Sequence, residues 1–324
     1  MGVSGAEEAA EIPALILFGP TATGKTELLE RLFGGNSEAE IISADSMQVY
    51  RGMDIGTAKP PVALRAALPH HLIDIRDPRE QFNAGEFVRL AQAAIEDIRR
   101  RGKLPVVSGG TGFYLNNLVQ GLPAAPPSDP AIRAVLRQEL EDRGAAALRE
   151  ELACRDPVSA GRIHYNDVYR LLRALEVFRQ TGRPLSSCTQ TGRAGPRYRF
   201  LILGIDRDRD EVYRRINERC AQMFREGLAE EVKRLWEAGC GPADPGMRAI
   251  GYREFFVEPE PGVFSISSDT KGVEALTARN SRRYAKRQFV YFASLPGAKW
   301  IKTAADIRRE LAAFLAPPPA AGIY

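Results

Sequence analysis

The chain has 324 residues, of which 44% are apolar and 27% charged; such a composition supports a sizeable core and excludes wholesale disorder. Its 45 basic and 41 acidic residues leave a net charge of +4, too mild by itself to announce a polyanionic partner. The four cysteines (Cys154, Cys188, Cys220, Cys240) form no Cys-x-x-Cys pair, which excludes zinc-ribbon and thioredoxin-like readings.

Met1 to Glu11 is acidic, carries no signal-peptide pattern and reads as a loose tail. No apolar run approaches the roughly 18–20 residues of a membrane span, so a cytoplasmic location is expected. Ala14 to Phe18 reads as a short buried strand, and a helix is expected from Lys25 through Leu32. Ile41-Ile42 marks a second strand that leads into Ser43-Ala-Asp45-Ser46. Phe87, Leu90, Ala94, Ile95 and Ile98 repeat at helical spacing, and Arg99 to Gly102 is a C-terminal signal. Leu104 to Ser108 reads as the third strand, broken by Gly109-Gly-Thr-Gly112. Strands alternating with helices imply a parallel sheet covered on both faces.

Gly121 to Pro127 reads as a linker, and Ser128-Asp-Pro130 opens a strand-poor, arginine-rich stretch of helical pattern. Between Gly161 and Phe200 there are eight arginines against two acids, Asp167 and Glu176. Strand character returns at Phe200 to Leu203. A helix then places Val212, Tyr213, Ile216, Cys220, Met223 and Phe224 on one face, and Leu228 to Trp236 continues the pattern. Arg279 to Arg287 holds five basic residues and no acid. Both basic stretches are positive fields that a polyanion would feel, and each also reads as an ordinary solvated face. A last helix spans about Ala304 to Phe314. The expected organisation is an α/β core at 12–127 and 198–317, a helical insertion at 128–197, and tails at 1–11 and 318–324.

The segment Gly19-Pro-Thr-Ala-Thr-Gly24-Lys25-Thr26 matches G-x-x-x-x-G-K-[ST] between a predicted strand and a predicted helix, the context that a P-loop requires. Backbone N–H groups of the loop formed by Gly19, Pro20, Thr21, Ala22, Thr23 and Gly24, all but that of the proline, would face phosphate oxygens. Lys25 adds a full charge, and the Thr26 hydroxyl can ligate Mg²⁺. The third strand ends without an acid, whereas the second ends in Asp45. That arrangement favours an enzyme with a small or nucleotide-like acceptor over a mechanical ATPase. Asp45 after a strand is also a common turn residue, and Thr111 a plain member of a glycine-rich loop.

The ordered series Asp45-Ser-Met-Gln-Val-Tyr50, Asp54-Ile-Gly-Thr-Ala-Lys-Pro60, Pro69-His-His-Leu-Ile-Asp74, Gly109-Gly-Thr-Gly-Phe-Tyr114, Arg162 to Asp167, Arg173 to Val177, Ala249 to Arg253 and Tyr284 to Gln288 resembles the tRNA dimethylallyltransferase (tRNA isopentenyltransferase) family in its bacterial form. The resemblance runs from about residue 13 to about residue 300 and implies a P-loop NTPase-like parallel sheet flanked by helices, with a helical insertion domain. It implies transfer of a dimethylallyl group from dimethylallyl diphosphate to N6 of the adenosine 3′ to the anticodon, with Mg²⁺ required, by a monomer. Catalytic roles would fall to Asp45, Thr111 and Lys25. Contacts to the tRNA anticodon loop would come from Asp45, Ser46, Met47, Gln48, Thr111, Arg133, Tyr169, Arg170, Leu171, Leu172, Arg173, Arg248, Ala249, Ile250, Gly251, Tyr252 and Arg253. The family often carries Gln where this chain has Tyr169, and a Trp and an Arg after the position of Gln288, where Phe289 follows here. A nucleoside or metabolite kinase shares the P-loop and Asp45, and prenylation of free adenine nucleotides is the closer alternative.

Overall fold

The computed structural model describes residues 11–35, 38–122, 125–188 and 198–316. The expected tails lie outside these residues except for Glu11 and, in the linker, Pro123 and Ala124 lie outside them too. The chain divides into two compact units, Met1–Asn116 with Pro196–Tyr324, and Asn117–Gly195.

The first unit opens with β1 (Ile12–Phe18), α1 (Lys25–Phe33), β2 (Ala39–Ser43), α2 (Val62–Ala67), β3 (His70–His71), α3 (Ala84–Arg100), β4 (Leu104–Gly109) and α4 (Gly112–Gln120), the last of which runs on past the unit boundary. After α5 (Pro130–Arg155), α6 (Pro157–Arg162) and α7 (Val168–Thr181) of the second unit come β5 (Tyr198–Ile205), α8 (Arg209–Arg225), α9 (Leu228–Glu237), β6 (Phe256–Glu260), β7 (Val263–Ile266), α10 (Thr270–Ala293), β8 (Lys299–Ile301) and α11 (Ala304–Leu315).

The main sheet has six strands in the order β3-β2-β4-β1-β5-β8, and every pair is parallel. The strand expected third is therefore the fourth in the chain, because the two-residue β3 precedes it. Passing from β1 through α1 to β2 moves one way along the sheet, and passing from β2 through α3 to β4 moves back. With both crossovers right-handed, α1 and α3 cover opposite faces. Leu15 and Leu17 pack with Leu28, Leu29 and Phe33 of α1 and with Ile307 of α11. By strand alternation Ile16 and Phe18 point the other way, and the Phe18 ring meets Phe292 of α10 at 4.7 Å.

A buried acid ties three strands' worth of sequence together. Glu40 on β2 accepts from Arg101, from Lys103 at 2.8 Å and pairs with His71 of β3 at 2.7 Å. The Arg101 guanidinium, more than any other neighbour, holds the Glu40 carboxyl down at about 2.

The second unit is helical. Asp129 caps α5, with Pro130 at its first turn, and Gly144 (φ 77°) breaks the helix into two arms. Leu136, Leu148, Leu152, Leu171 and Leu175 form its core. Asp167 caps α7, and Gly182 ends it in the left-handed region. Among the described residues no helix is long and apolar enough to cross a membrane.

Candidate active site

The loop from Gly19 to Thr26 turns through two left-handed residues, Ala22 (φ 64°) and Gly24 (φ 89°). Glycine at position 24 carries no penalty for that conformation, and it lets α1 start at Lys25 with its first N–H groups facing out of the sheet. Thr23 is fully buried and its hydroxyl donates to the Pro20 carbonyl at 2.8 Å. Lys25 Nζ folds back onto the carbonyls of Gly19 and Pro20, both at 2.9 Å. Thr26 is exposed at the helix start. Burial pushes the Lys25 ammonium down to about 8, with Asp45 opposing the shift and Arg219 adding to it.

Three arginines and a glutamine from distant sequence grip this loop. Arg207 Nε donates to Thr23 O at 3.1 Å, Arg215 Nε to Ala22 O at 2.9 Å, and Arg219 Nη2 to Thr21 Oγ1 at 2.7 Å. Gln288 on α10 accepts from Thr21 N at 2.9 Å and donates to Gly110 O at 2.7 Å. The loop's carbonyls are thus turned toward protein donors; Thr21 N is held by Gln288 and Thr23 N by Pro20 O, so an anion would be met by the N–H groups of Ala22, Gly24, Lys25 and Thr26.

Asp45 follows β2. Its Oδ1 accepts from Met47 N at 2.8 Å and Gln48 N at 3.3 Å, the turn role that Asp after a strand commonly takes. Its charge is felt by Lys25, Arg219 and Tyr284. Thr111 Oγ1 accepts from Ser46 N at 3.0 Å, and Thr111 is also hydrogen-bonded to Tyr284 of α10. Burial and the Asp45 charge push the Tyr284 phenol up to about 12. The Gly-Gly-Thr-Gly segment is what allows this closeness. A Cβ on Gly109 would lie 2.1 Å from Ala44 O, and one on Gly110 2.6 Å from Gln288 Nε2.

Gln48 does not offer a free amide. It accepts from Ser43 Oγ at 3.0 Å, and its Nε2 donates to the carbonyls of Thr57 and Ala58, both at 3.3 Å. It holds the 54–60 segment against β2 and is not available to read a base with both amide atoms. That segment is fixed from two further sides. Lys59 Nζ, buried, reaches Tyr50 O at 2.9 Å and Asp54 and Asp74 at 2.5 Å each. Glu231 on α9 accepts from the N–H groups of Asp54, Ile55 and Gly56 and from Tyr252 Oη at 2.6 Å.

A cleft of about 920 Å³ joins these parts. Its walls include Thr21, Ala22, Gly24, Lys25 and Thr26 from the loop, Asp45, Ser46, Met47 and Gln48 from β2 onward, and Arg248, Ala249, Ile250 and Arg253. Thr111 is not one of its walls and acts on it through Ser46 and Tyr284. Arg248 and Arg253 are exposed. Tyr252, expected to touch RNA, is fully buried against Gly56, and Gly251 is buried beside it; their side of the segment packs the loop and is closed to a ligand.

In the second unit the expected contact residues separate into two kinds. Glu176, fully buried, accepts from Ser128 Oγ at 2.5 Å and Asp129 N at 2.8 Å. Arg173 pairs with it at 3.0 Å and Arg133 at 3.3 Å. Leu171 and Leu172 lie in the core. These four side chains hold the unit together, so Leu171 and Leu172 are corrected from RNA contacts to packing residues. Tyr169 and Arg170 are exposed.

The sequence model of the IPP transferase family matches residues 48–295. The chain belongs to this family. A tRNA dimethylallyltransferase of Geobacter sulfurreducens is 47% identical over 296 residues, covering 90% of this chain and 92% of that protein. The tRNA isopentenylpyrophosphate transferase of Bacillus halodurans superposes with a TM-score of 0.65 at 36% identity, over 94% of this chain and 97% of the other. A eukaryotic dimethylallyltransferase solved acting on tRNA gives a TM-score of 0.73 at 27% identity, over 93% of this chain and 75% of that one.

For an IPP transferase, the side chains to which sequence reasoning gave no role are the loop's clamps, Arg207, Arg215, Arg219 and Gln288, together with Tyr284, which bonds Thr111. Arg215 and Arg219 stand four apart on α8, so they share a helical face, a signal present in the sequence but hidden by the apolar stripe beside it. Tyr284 and Gln288 bound the Tyr-Ala-Lys-Arg-Gln motif, also four apart on one helix.

Proposed function

We propose that this IPP transferase moves a dimethylallyl group from dimethylallyl diphosphate to N6 of the adenosine 3′ to the anticodon in tRNA, with release of diphosphate. The observation that carries this reading is one cleft walled by both the Lys25 loop and Asp45. An anion held by the loop's N–H groups places its attached carbon where Asp45 meets an incoming amine. Lys25 leaves the Gly19 and Pro20 carbonyls for the diphosphate, and Arg219 stands beside it. As the C1–O bond breaks, its electron pair goes to the diphosphate, where these cations stabilise the growing charge. The N6 lone pair closes on C1. Asp45, with Oδ1 already held by two N–H groups, presents Oδ2 to orient the amine and take its proton. Tyr284, kept neutral, steadies Thr111 and through it Ser46.

Among the described residues no group of three His, Cys, Asp or Glu could hold a metal. The exposed Thr26 hydroxyl at the helix start fits Mg²⁺, which keeps several waters and takes substrate phosphate oxygens in place of an all-protein cage. When bound, that ion supplies charge neutralisation on the diphosphate. The test is incubation with dimethylallyl diphosphate, Mg²⁺ and unmodified tRNA, followed by nucleoside mass analysis. One added five-carbon unit per tRNA is expected. Modification of free adenine nucleotides alone, or phosphate transfer from ATP to a nucleoside, would overturn the reading.

The depressed Lys25 value gives donor binding a pH signature. Its folded value, about 8, lies below the ordinary 10.5. Charging it therefore costs folding stability at and below pH 8, and the cost fades as pH rises toward 10.5. Bound diphosphate favours the charged form. At pH 9 donor binding should take up close to one proton, and at pH 7 none. Titration calorimetry in two buffers of different ionisation enthalpy measures this, and Lys25→Met should abolish the uptake. Equal uptake in wild type and Lys25→Met would assign the proton elsewhere.

A further inference from the structure

The second unit carries two exposed tyrosines four residues apart, Tyr165 in the turn before α7 and Tyr169 in its first turn. Tyr165 is 67% and Tyr169 71% exposed. Each ring has one face covered by an arginine: Arg149 lies 4.9 Å from the Tyr165 centroid and Arg133 5.1 Å from that of Tyr169. Neither arginine is loose. Arg149 donates to the carbonyls of His164 at 2.7 Å, Ile163 at 3.4 Å and Tyr165. Arg133 is fixed on the buried Glu176. Each ring is thus held from behind by a cation that is itself anchored, and its other face stays in water.

We propose that Tyr165 and Tyr169 form a stacking platform for unpaired bases of the tRNA anticodon loop. This rests on the tRNA reading above. A flat, braced ring with a free face is complementary to the face of a base. In a duplex those faces are hidden within the stack, whereas loop bases can be splayed onto aromatic side chains. The arginine behind each ring draws on its π-electrons and costs the ring little further ordering when a base arrives. Charge agrees with the occupant. Arg162 and Arg170, both exposed, flank the pair, and the Arg170 guanidinium pairs with Asp167 at 3.3 Å. They would meet phosphates while the rings meet bases.

The test compares binding of an unmodified anticodon stem-loop and of its bare stem duplex by fluorescence anisotropy across a salt series. Tyr165→Ala and Tyr169→Ala should each weaken stem-loop binding roughly fivefold to a hundredfold, with the salt slope unchanged. The Tyr→Phe variants should bind within about twofold of wild type, since Phe keeps the ring face. Binding to the bare duplex should not change. Arg170→Ala should instead lower the salt slope by about one. Both rings are exposed, so circular dichroism and melting of the alanine variants should match wild type. The platform is overturned if both alanine variants bind the stem-loop like wild type, or if they lose affinity for loop and duplex alike. Prenylation of tRNA by the wild-type enzyme is measured first. Its absence would sink the proposed function, whereas active wild type with indifferent tyrosine variants would sink the platform alone.

Discussion

Asp45→Asn should slow prenyl transfer roughly 10²–10⁴-fold and leave the fold and tRNA affinity in place. The substitution is close to a pure change of charge. Oδ1 accepts from Met47 N and Gln48 N, and an amide oxygen can keep both bonds, so the turn after β2 survives. The other carboxylate oxygen becomes an NH₂ group. It then points a donor at the N6 donor of the acceptor base and cannot take a proton as the C–N bond forms. A second consequence follows from the electrostatics. Asp45 raises Lys25 against the burial that depresses it, so without Asp45 the lysine loses its charge at lower pH and donor binding weakens first on the alkaline side. Single-turnover rates at saturating donor and tRNA, at pH 7, separate the two effects. A rate within threefold of wild type would remove Asp45 from the chemistry even with the family membership unchanged.

What the sequence made legible was local. The P-loop shows itself because eight consecutive residues carry its whole geometry, and Asp45 because it ends a buried strand. The arginines that grip the loop, two on its carbonyls and Arg219 on the Thr21 hydroxyl, lie 184 to 198 positions further on, and nothing in their spacing names the loop as their partner. The motif from Asp54 to Pro60 was visible as a string, but its work depends on Glu231, 177 residues beyond Asp54. Charge counting misled in the second unit. Glu176 was one of two acids against eight arginines between Gly161 and Phe200, which read as a positive field or a solvated face, yet that one buried carboxylate takes Arg173 from this stretch and Arg133 from outside it. Period-based reading also passed over β3 and β8, two and three residues long, because alternation needs at least four residues to register. The β6–β7 hairpin escaped for a related reason: its exposed faces carry Val257, Val263 and Phe264, so apolar residues do not mark a buried side.

Glu231→Ala should destabilise the protein by about 3–5 kcal/mol, the sum of several buried donors left without an acceptor at roughly 1–3 kcal/mol each, less what penetrating water recovers. The carboxylate is almost wholly buried. It gathers three successive backbone N–H groups at Asp54, Ile55 and Gly56, and the Tyr252 phenol. Burial and the nearby carboxylate push that phenol well above its usual range, so it stays a donor. The functional cost exceeds the stability cost in reach. Thr57 and Ala58 lend their carbonyls to Gln48, and Tyr252 belongs to the segment that carries Arg248 and Arg253 into the cleft. Releasing Glu231 therefore loosens two walls of one cleft, and KM for tRNA should rise more than kcat falls. Tyr252→Phe separates the parts: it removes one hydrogen bond, keeps the three backbone N–H groups satisfied, and should cost only about 1 kcal/mol. Urea unfolding monitored by a probe in the sheet unit measures both. If the alanine variant lost no more than the phenylalanine one, the N–H groups at 54–56 would have found other acceptors, and Glu231 would not be what holds this wall of the cleft.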